Sequence, residues 1–298
     1  MSDARGFLIE ENVGLAPMTT WKIGGAARYF CDTGCECVGE VAAWARRKGI
    51  PFCVMGGGSN VLVPSAGVDG LVVRLLKTDG QIVVRNGALE VPASMPLGRF
   101  AALAARMGLA GFDFLAGIPG TVGGALFMNA GTGGKDGREM ADVVRGANAI
   151  LRDGSERFFD LGEMEFSHRT SVFQKNSAVI TRVVFGVFGL EPEASIRRRM
   201  AVRVRGRRLR EPENRRTAGS VFKSADGVPA AFYIDRAGLK GARVGGAMVS
   251  LKHANWIENV GGATSGDVLE LAEIVRERVA SEFSVRLETE VRVLQPLP

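Results

Sequence analysis

The stretch from Leu115 to Gly134 constrains this chain most, because seven of its twenty residues are glycine. Each internal glycine weakens a helix or strand, so we do not expect an ordinary buried helix or strand here. Apolar side chains stand between the glycines and argue against a solvated linker; they are Ile118, Val122, Leu126, Phe127 and Met128. Bare N–H groups in such a stretch can converge on phosphate or pyrophosphate. A tightly packed glycine turn without a ligand is the alternative that this stretch leaves open.

A second glycine cluster lies about sixty residues upstream. The segment Pro51–Val63 predicts a short strand, a turn of three glycines (56–58) and another strand. Ser59 and Asn60 place polar side chains where the turn closes. The cluster matches neither G-x-G-x-x-G before a helix nor G-x-x-x-x-G-K-[ST], so it is neither a Rossmann fingerprint nor a P-loop. Two such loops favour a long ligand held at two points, such as a dinucleotide.

The composition predicts a globular protein with more than one core. The chain has 298 residues, of which 46% are hydrophobic and 23% charged, which allows two or three domains. No apolar run approaches the length of a membrane span, and the first residues lack an apolar signal region, so we expect a cytoplasmic protein. The four cysteines have no histidine near them, so we expect free thiols and no metal site; they are Cys31, Cys35, Cys37 and Cys53.

Positive charge is concentrated in residues 197–210, which hold eight arginines against a net charge of +6 for the whole chain. Nucleic-acid binding is one explanation of such a segment. However, no aromatic residues interleave with these arginines, and no recognised nucleic-acid module surrounds them. A solvated helix face, or a clamp for an anionic small substrate, fits the segment at least as well.

Hydrophobic periodicity and breaker residues predict three successive units of mixed helix and strand. The first has a helix over 38–49, the strands around the glycine turn, and a strand over 68–75. The second has a helix over 96–107 and strands over 81–85, 88–91, 143–151, 157–161 and 178–188. The third follows Pro192 with the arginine-rich helix, helices near 229–237 and over 266–283, and strands over 242–250 and 286–294.

Three polar residues are candidates for chemistry, each with an ordinary structural alternative. Arg169 stands among short polar residues and could clamp a carboxylate, although a structural ion pair is as good an explanation. Ser220 follows a glycine but lies outside the G-x-S-x-G motif, and it could donate a proton or simply sit in a turn. Glu290 lies on the last predicted strand, with Glu288 and Arg292 expected on its face, and a glutamate on an exposed strand is usually only solvated.

The chain contains eight short motifs whose order resembles that of the UDP-N-acetylenolpyruvoylglucosamine reductase family. It resembles the second type of this family, which lacks an extra substrate-covering loop. Any one motif is weak, but the ordered set is specific and extends from Thr19 to Leu294. The motifs are TTWKIGG (19–25), GGGSNVLV (56–63), AGIPGTVGGA (116–125), RTS (169–171), AGSVFK (218–223), AGLKG (237–241), KHANWIEN (252–259) and LETEVR (287–292).

The resemblance implies an α+β protein with a two-part FAD-binding fold of the vanillyl-alcohol-oxidase-like (PCMH-type) class and a C-terminal substrate-binding domain. Residues 1–76 would form the first FAD-binding subdomain, joined by a C-terminal strand at about 286–298. Residues 77–190 would form the second subdomain, and residues 191–285 the substrate-binding domain.

The resemblance also implies a cofactor and its hydride donor. FAD would bind non-covalently on the two glycine loops and would be reduced by NADPH. The cofactor-binding residues would be Met55, Gly56, Gly57, Gly58, Ser59, Asn60, Gly117, Ile118, Pro119, Gly120, Thr121, Gly123 and Gly124.

The implied substrate is UDP-N-acetylglucosamine enolpyruvate, which is reduced to UDP-N-acetylmuramate for peptidoglycan synthesis. Hydride would pass from flavin N5 to the terminal carbon of the enolpyruvyl group. Arg169 and Glu290 would stabilise the resulting enolate, with the pKa of Glu290 raised by burial, and Ser220 would protonate it. Substrate-binding residues would be Arg207, Arg208, Lys223 and Ser224. The implied protein is a monomer that binds neither nucleic acid nor membranes.

The chain departs from the family pattern at three places. The family's usual tyrosine before the catalytic arginine is His168 here, its usual Asn-Pro is Ser224-Ala225, and its common tyrosine after Asn129-Ala-Gly131 is missing. Two rival functions remain: a flavin oxidase of the same fold with another substrate, or a basic nucleic-acid-binding protein that uses residues 197–210.

Overall fold

The computed structural model describes residues 7–77, 81–132, 137–212 and 216–296. The strands in these ranges are β1 (Glu10–Gly14), β2 (Ala26–Thr33), β3 (Phe52–Met55), β4 (Val61–Leu62), β5 (Val68–Leu75), β6 (Val83–Arg85), β7 (Ala88–Pro92), β8 (Val144–Ile150), β9 (Glu156–Asp160), β10 (Val179–Gly186), β11 (Arg243–Val244), β12 (Ala247–Val249), β13 (Ile257–Asn259) and β14 (Arg292–Val293). The α-helices are α1 (Val38–Arg47), α2 (Leu97–Arg106), α3 (Val122–Phe127), α4 (Phe173–Asn176), α5 (Glu193–Arg210), α6 (Ala230–Arg236) and α7 (Ser265–Phe283).

The first sheet has the strand order β1-β2-β5-β3 and carries the triple-glycine turn at the end of β3. β2 and β3 both run parallel to β5, whereas β1 is antiparallel to β2. The apolar face of α1 (Val38, Val41 and Ala45) packs on the sheet beside Leu71 and Val73. The predicted strand 68–75 and the predicted helix from Val38 are confirmed. The strand is a run of apolar residues that is buried on both faces, and the helix buries one apolar face.

The second sheet is antiparallel throughout, with the order β6-β7-β10-β8-β9. Its largest buried cluster centres on three aromatic rings, in which Phe100 of α2 stacks on Phe185 of β10 and Phe112 meets both edge-on. All five strands predicted for this unit are present, with ends that differ by up to two residues. This sheet supports the second glycine-rich stretch, since the Gly123 N–H donates to the carbonyl of Ala93, next to β7.

The glycine-rich stretch contains a helix, which corrects our expectation that none would form there. Residues Val122–Phe127 make α3, and the hydroxyl of Thr121 caps it by accepting from the Gly124 N–H at 3.2 Å. Gly123 is needed for packing, because a Cβ there would stand 2.7 Å from that of Ala93. Close approach to the neighbouring chain, together with the cap, therefore outweighs the low helix propensity of glycine in this short element.

The third sheet, β11-β12-β13, packs with α6 and α7 around a separate core. The single strand that we predicted over 242–250 is instead a hairpin, so this prediction was wrong. Gly245 and Gly246 form its turn, with Gly245 at φ +49 and the Gly246 N–H donating to Asp267 at the start of α7. Trp21, from the N-terminal part of the chain, joins the same core, and its indole N–H donates to the Ile257 carbonyl at 2.8 Å.

The closing segment is only partly a strand, which corrects our prediction of a regular strand over 286–294. Only Arg292–Val293 form β14, which pairs parallel with β4. Just before it, the Glu290 N–H donates to the Val221 carbonyl at 2.7 Å. The segment thus pairs first with the chain at Val221 and then with β4. The expected alternation of buried and exposed residues is lost, and Val293, which was expected on the buried face, is 40% exposed.

The arginine-rich helix begins after Pro192 as predicted and extends over Glu193–Arg210. Ile196 is its only buried residue, so most of this helix faces solvent. Asp113 holds it to the second unit by accepting from Arg203 Nε at 3.0 Å and lying 3.4 Å from Arg199 Nε. None of the helices in the described ranges has the length and apolar character of a membrane span.

Candidate active site

A cavity of about 640 Å³ lies where the three units meet. Both glycine loops line it, as do residues from the arginine-rich helix and from the C-terminal part of the chain. Twelve of the thirteen predicted cofactor-binding residues are on its wall: Met55, Gly56, Gly57, Gly58, Ser59, Asn60, Ile118, Pro119, Gly120, Thr121, Gly123 and Gly124. Its volume lies in the range usual for cofactor sites.

The two glycine loops form part of the cavity wall and touch each other there. A Cβ on Gly57 would lie 3.0 Å from the Cα of Gly120, and one on Gly56 would lie 2.5 Å from the Thr121 hydroxyl. The Ser59 hydroxyl donates to the Pro119 carbonyl at 3.3 Å and so links the same loops. Some of the glycines are therefore required by packing between the loops, which is the alternative to ligand binding that the glycine-rich stretch left open.

The first loop also offers backbone donors. In the ranges that the structure describes, the N–H groups of Gly57, Gly58 and Ser59 donate to no protein acceptor. Buried or half-buried backbone N–H groups almost always find a partner, so three in succession beside a cavity indicate a ligand with acceptor oxygens. A pyrophosphate fits this arrangement.

The charges on the cavity wall favour an anion. The charged residues among its described lining are one carboxylate, that of Glu290, and five arginines: Arg46, Arg152, Arg169, Arg207 and Arg292. Arg46 also donates to the Arg152 carbonyl at 2.7 Å, which joins the end of α1 to the end of β8. A surplus of guanidinium groups around one cavity attracts phosphates and carboxylates.

Arg169 is held from several sides. Its backbone has φ +56, an uncommon conformation for a residue with a side chain. Its guanidinium donates to the carbonyls of Asn129 (3.1 Å) and Gly131 (3.2 Å) and to Glu139 Oε1 (3.2 Å). Its Nε lies 3.2 Å from Glu290 Oε1. The predicted arginine and glutamate are therefore in contact.

Glu290 is largely buried, and burial raises the pKa of its carboxyl group above the ordinary value; the opposing effects of Arg169 and Lys223 are smaller. This direction agrees with our expectation. Two backbone contacts fix the residue: its N–H donates to the Val221 carbonyl, and its carbonyl accepts from Asn60 Nδ2 at 3.2 Å. Glu290 is thus joined to both the third unit and the first glycine loop.

Ser220 lines the same cavity from the third unit. It pairs with Trp256 in an isolated antiparallel bridge, and the next N–H, of Val221, donates to the Asn255 carbonyl at 2.8 Å. Because Val221 also accepts from Glu290, Ser220 lies one residue from the segment that carries that acid. The structure therefore brings Arg169, Ser220 and Glu290, which are far apart in sequence, to one cavity.

Comparison with known proteins gives matches along nearly the whole chain. A family described as "UDP-N-acetylenolpyruvoylglucosamine reductase, C-terminal domain" matches residues 211–294, and one described as "FAD binding domain" matches residues 32–159. The UDP-N-acetylenolpyruvoylglucosamine reductase of Halalkalibacterium halodurans is 37% identical, with 96% of this chain and 94% of that protein covered. The chain belongs to the UDP-N-acetylenolpyruvoylglucosamine reductase family.

Other members of the reductase family are also similar to this chain over most of its length. The protein named UDP-N-acetylenolpyruvoylglucosamine reductase 2 from Symbiobacterium thermophilum is 40% identical, with 92% of this chain and 88% of its own covered. The crystal structure of the Thermus caldophilus reductase superimposes with a TM-score of 0.78 at 36% identity, and 96% of this chain and 99% of that chain are covered. The predicted family and α+β fold class are confirmed, and the chain is an FAD-dependent oxidoreductase.

Of the residues that the resemblance to the reductase family assigned to the substrate, only Arg207 lines the cavity. Its guanidinium lies 5.7 Å from the centre of the Trp256 ring, and its Nε donates to Glu211 at 2.7 Å. Arg208, one position along α5, is exposed because successive helix residues point about 100° apart.

The remaining predicted residues lie off the cavity wall. Ser224 is exposed. Lys223 Nζ lies 3.5 Å from the Thr170 hydroxyl and 3.6 Å from Glu288. The space beside Gly117, the thirteenth predicted cofactor residue, is taken by Val204 and Arg207 of α5.

Several residues around Arg169 in this site were not among those that the sequence predicted. Asn129 and Glu139 contact Arg169, and Gln174 donates to the Arg169 carbonyl at 3.0 Å. Asn129 lies inside the glycine-rich stretch at φ +42, so its place in that stretch was a signal. Arg46 and Arg152 had no signal, because their nearness depends on how α1 and the second sheet meet.

All four cysteines are free. Burial raises the pKa of the Cys31 thiol to about 11 and that of Cys53 to about 12, so both remain protonated thiols at neutral pH.

Proposed function

We propose that this protein is an NADPH-dependent flavoenzyme that reduces UDP-N-acetylglucosamine enolpyruvate to UDP-N-acetylmuramate in peptidoglycan precursor synthesis. One observation carries the proposal: the two glycine loops, Arg169, Ser220 and Glu290 line a single cavity. A flavin oxidase with another substrate would need the loops but has no evident use for these three side chains together.

The glycine loops would hold FAD without a covalent bond. The free N–H groups of Gly57, Gly58 and Ser59 would bind the pyrophosphate, with Thr121 and the start of α3 on the facing loop. When bound and reduced by NADPH, FAD supplies the hydride for the terminal carbon of the enolpyruvyl group. The loops would orient the nucleotide and exclude water from one side of the cavity.

Arg169 and Glu290 would stabilise the negative charge that develops on the substrate. Arg169 is already oriented by three acceptors, so little reorganisation is needed when an enolate and its carboxylate form. Glu290 assists an anion only if it carries or shares a proton, and its raised pKa favours that state. The pair would thus present a fixed cation and a hydrogen-bond donor to the same anion.

Ser220 would donate the proton that completes the reduction. Ser220 lines the cavity from the third unit, whereas the glycine loops belong to the first two units. The substrate would therefore lie between the reduced cofactor and Ser220. Arg207, stacked over Trp256, would contact the diphosphate of the UDP group.

The domain organisation follows the sheets. We propose two FAD-binding subdomains over residues 1–76 and 77–190 and a substrate-binding domain over 191–285. The pairing of β14 with β4 supports the return of the closing segment to the first subdomain. Trp21 belongs to the first subdomain but packs in the core of the third unit, and it therefore joins the two. We propose that the enzyme acts as a cytoplasmic monomer.

Product analysis tests the proposal. The purified protein is incubated without oxygen with NADPH and the enolpyruvyl UDP-sugar, and the sugar is analysed by mass spectrometry. We expect one product, heavier than the substrate by two hydrogen atoms, and one NADPH oxidised per product. A colourless protein, or NADPH oxidation that requires oxygen and leaves the sugar unchanged, would refute the function; the second result would favour an oxidase.

A further inference from the structure

Glu139 contacts Arg169 on the side opposite Glu290, and the proposed function gives it no task. It stands at the start of the short 3₁₀ turn Met140–Asp142. Its Oε1 accepts from Arg169 Nη1 at 3.2 Å, and its Oε2 accepts from Asn129 Nδ2 at 2.8 Å. The side chain also accepts from the Asp142 N–H in a capping box. Both oxygens of the carboxylate are therefore in use as acceptors.

Asn129 completes this arrangement. Its side-chain amide donates to Glu139 and to the Ser167 carbonyl (3.0 Å), and its side-chain oxygen accepts from the Ala141 N–H (3.0 Å). Its own carbonyl accepts from Arg169 Nη1. The amide can thus hold Glu139 in one rotamer, because every polar atom of its side chain is already committed.

The guanidinium of Arg169 is fixed along one edge. Nη1 and Nη2 are engaged by Glu139 and by the carbonyls of Asn129 and Gly131, while Nε remains on the Glu290 side. A guanidinium is planar, so fixing both Nη atoms fixes the direction of Nε. Arg169 thus has a second carboxylate beside it, that of Glu139, in addition to that of Glu290.

We propose that Glu139 is a positioning residue: it holds the guanidinium plane of Arg169 and acts as a second counter-charge to it, which leaves Glu290 free to carry a proton. The catalytic consequence rests on the proposed function. The positioning itself rests on the hydrogen bonds of Arg169 and Asn129. Among the charged groups near Glu290, Arg169 and Lys223 lower the pKa of its carboxyl group, and the like charge of Glu139 raises it.

The first test separates positioning from a merely structural role. In Glu139→Gln the shape is kept and the charge is lost. We expect reduction of the substrate by the reduced enzyme to slow by about 10- to 100-fold, because small misplacements of a charge-stabilising group are costly. Flavin reduction by NADPH should stay within about twofold of the original rate, since the hydride donor does not depend on an enolate-stabilising pair. Equal losses in both half-reactions, accompanied by a lower Tm, would overturn the proposal.

Two further variants complete this test. Glu139→Asp keeps the charge and should recover part of the lost rate; if it recovers none while it folds, the counter-charge is not the cause. Glu193→Gln is the matched control, because Glu193 pairs with Arg197 at 2.6 Å on the exposed face of α5, away from the cavity. We expect that control to change neither half-reaction.

A second readout does not depend on the substrate. The carboxyl carbon of Glu290 is titrated by NMR in protein labelled at glutamate, with the signal assigned by its loss in Glu290→Gln. We expect the pKa of Glu290 to fall in Glu139→Gln, because the full charge of Arg169 then acts on Glu290 without the opposing carboxylate. An unchanged titration would overturn the counter-charge role. If the original enzyme failed to reduce the enolpyruvyl sugar, the proposed function would fail, and this titration would still decide the role of Glu139.

Discussion

Glu290 shows how a common surface residue type is given a different chemistry by its neighbours. On an exposed strand a glutamate is ionised at neutral pH, whereas here burial raises the pKa and a backbone clamp keeps the carboxyl group in the cavity. The nearby guanidinium opposes that shift without cancelling it. The proposed role of Glu290 in the reaction therefore depends on its protonated form.

This gives a pH prediction with a definite sign. Because the proposed role of Glu290 requires its protonated form, we expect the rate of substrate reduction to fall as pH rises through the raised pKa of Glu290. Glu290→Gln stays neutral at all pH values, so its rate should be lower but should lack this decline. Single-turnover rates measured across pH for both proteins check the prediction. A decline of the same midpoint in the variant would assign it to another group.

Ser220 carries a separate prediction at the same scale. Ser220→Ala removes the proposed proton donor but none of the residues proposed to hold the nucleotide. We expect flavin reduction by NADPH to remain nearly unchanged and substrate reduction to slow by roughly 10²–10⁴-fold. Stopped-flow absorbance resolves the two half-reactions. Equal slowing of both would show that the serine is not the acid.

At the scale of elements, the two glycine loops act as a pair. Gly57 and Gly120 bring them into contact, and Ser59 links them through the Pro119 carbonyl. We expect the free N–H groups of the first loop to depend on that contact for their direction, so that the two loops act as one binding element.

Gly57→Ala tests this dependence. The added methyl group would lie 3.0 Å from the Cα of Gly120, so the loops must separate by a few tenths of an ångström. We expect FAD to bind about tenfold or more weakly, as measured by fluorescence on titrating the apoprotein. Gly98→Ala is the control, since a Cβ there meets nothing within 4 Å. Equal FAD affinity in Gly57→Ala and the original protein would contradict this account of the loops.

Most elements could be predicted because their signals are local. The strand 68–75 and the helix after Pro192 follow from a short run of apolar residues and from a proline, which depend only on neighbouring residues. The hairpin at Gly245 and the helix α3 were missed because tertiary contacts decide them: Asp267 holds the one, and Ala93 packs against the other. The closing segment was misjudged for a similar reason, since it exchanges one partner for another.

The residues of the site likewise divide into those that the sequence predicts and those that it does not. Arg169, Ser220 and Glu290 were found through the ordered family motifs, and the structure brings all three to one cavity. Glu139 and Arg46 could not be found, because neither stands in such a motif. Their places depend on the arrangement of separate units, which short-range patterns in the sequence do not encode.

At the scale of the whole molecule, the three units share one ligand cavity. Trp21 and the closing segment cross between units, so the wall of the cavity and the third core are mechanically joined. A ligand that contacts more than one unit should stabilise all of them. Binding of a ligand to the folded state alone adds about 2.7 kcal/mol at a free concentration of 100 Kd.

Removal of FAD should therefore lower the Tm of the protein. We expect the apoprotein to melt several degrees below the FAD-bound form and the difference to disappear when FAD is restored. Calorimetry of both forms at equal protein concentration checks this. A Tm unaffected by FAD would show that the cofactor does not bridge the units.

Anaerobic reoxidation of the flavin tests the central claim most directly. The bound FAD is reduced with one equivalent of NADPH in the absence of oxygen, the enolpyruvyl UDP-sugar is added, and the flavin absorbance is followed. We predict that the oxidised spectrum returns at a rate that depends on sugar concentration. A flavin that stays reduced until oxygen is admitted would contradict the account.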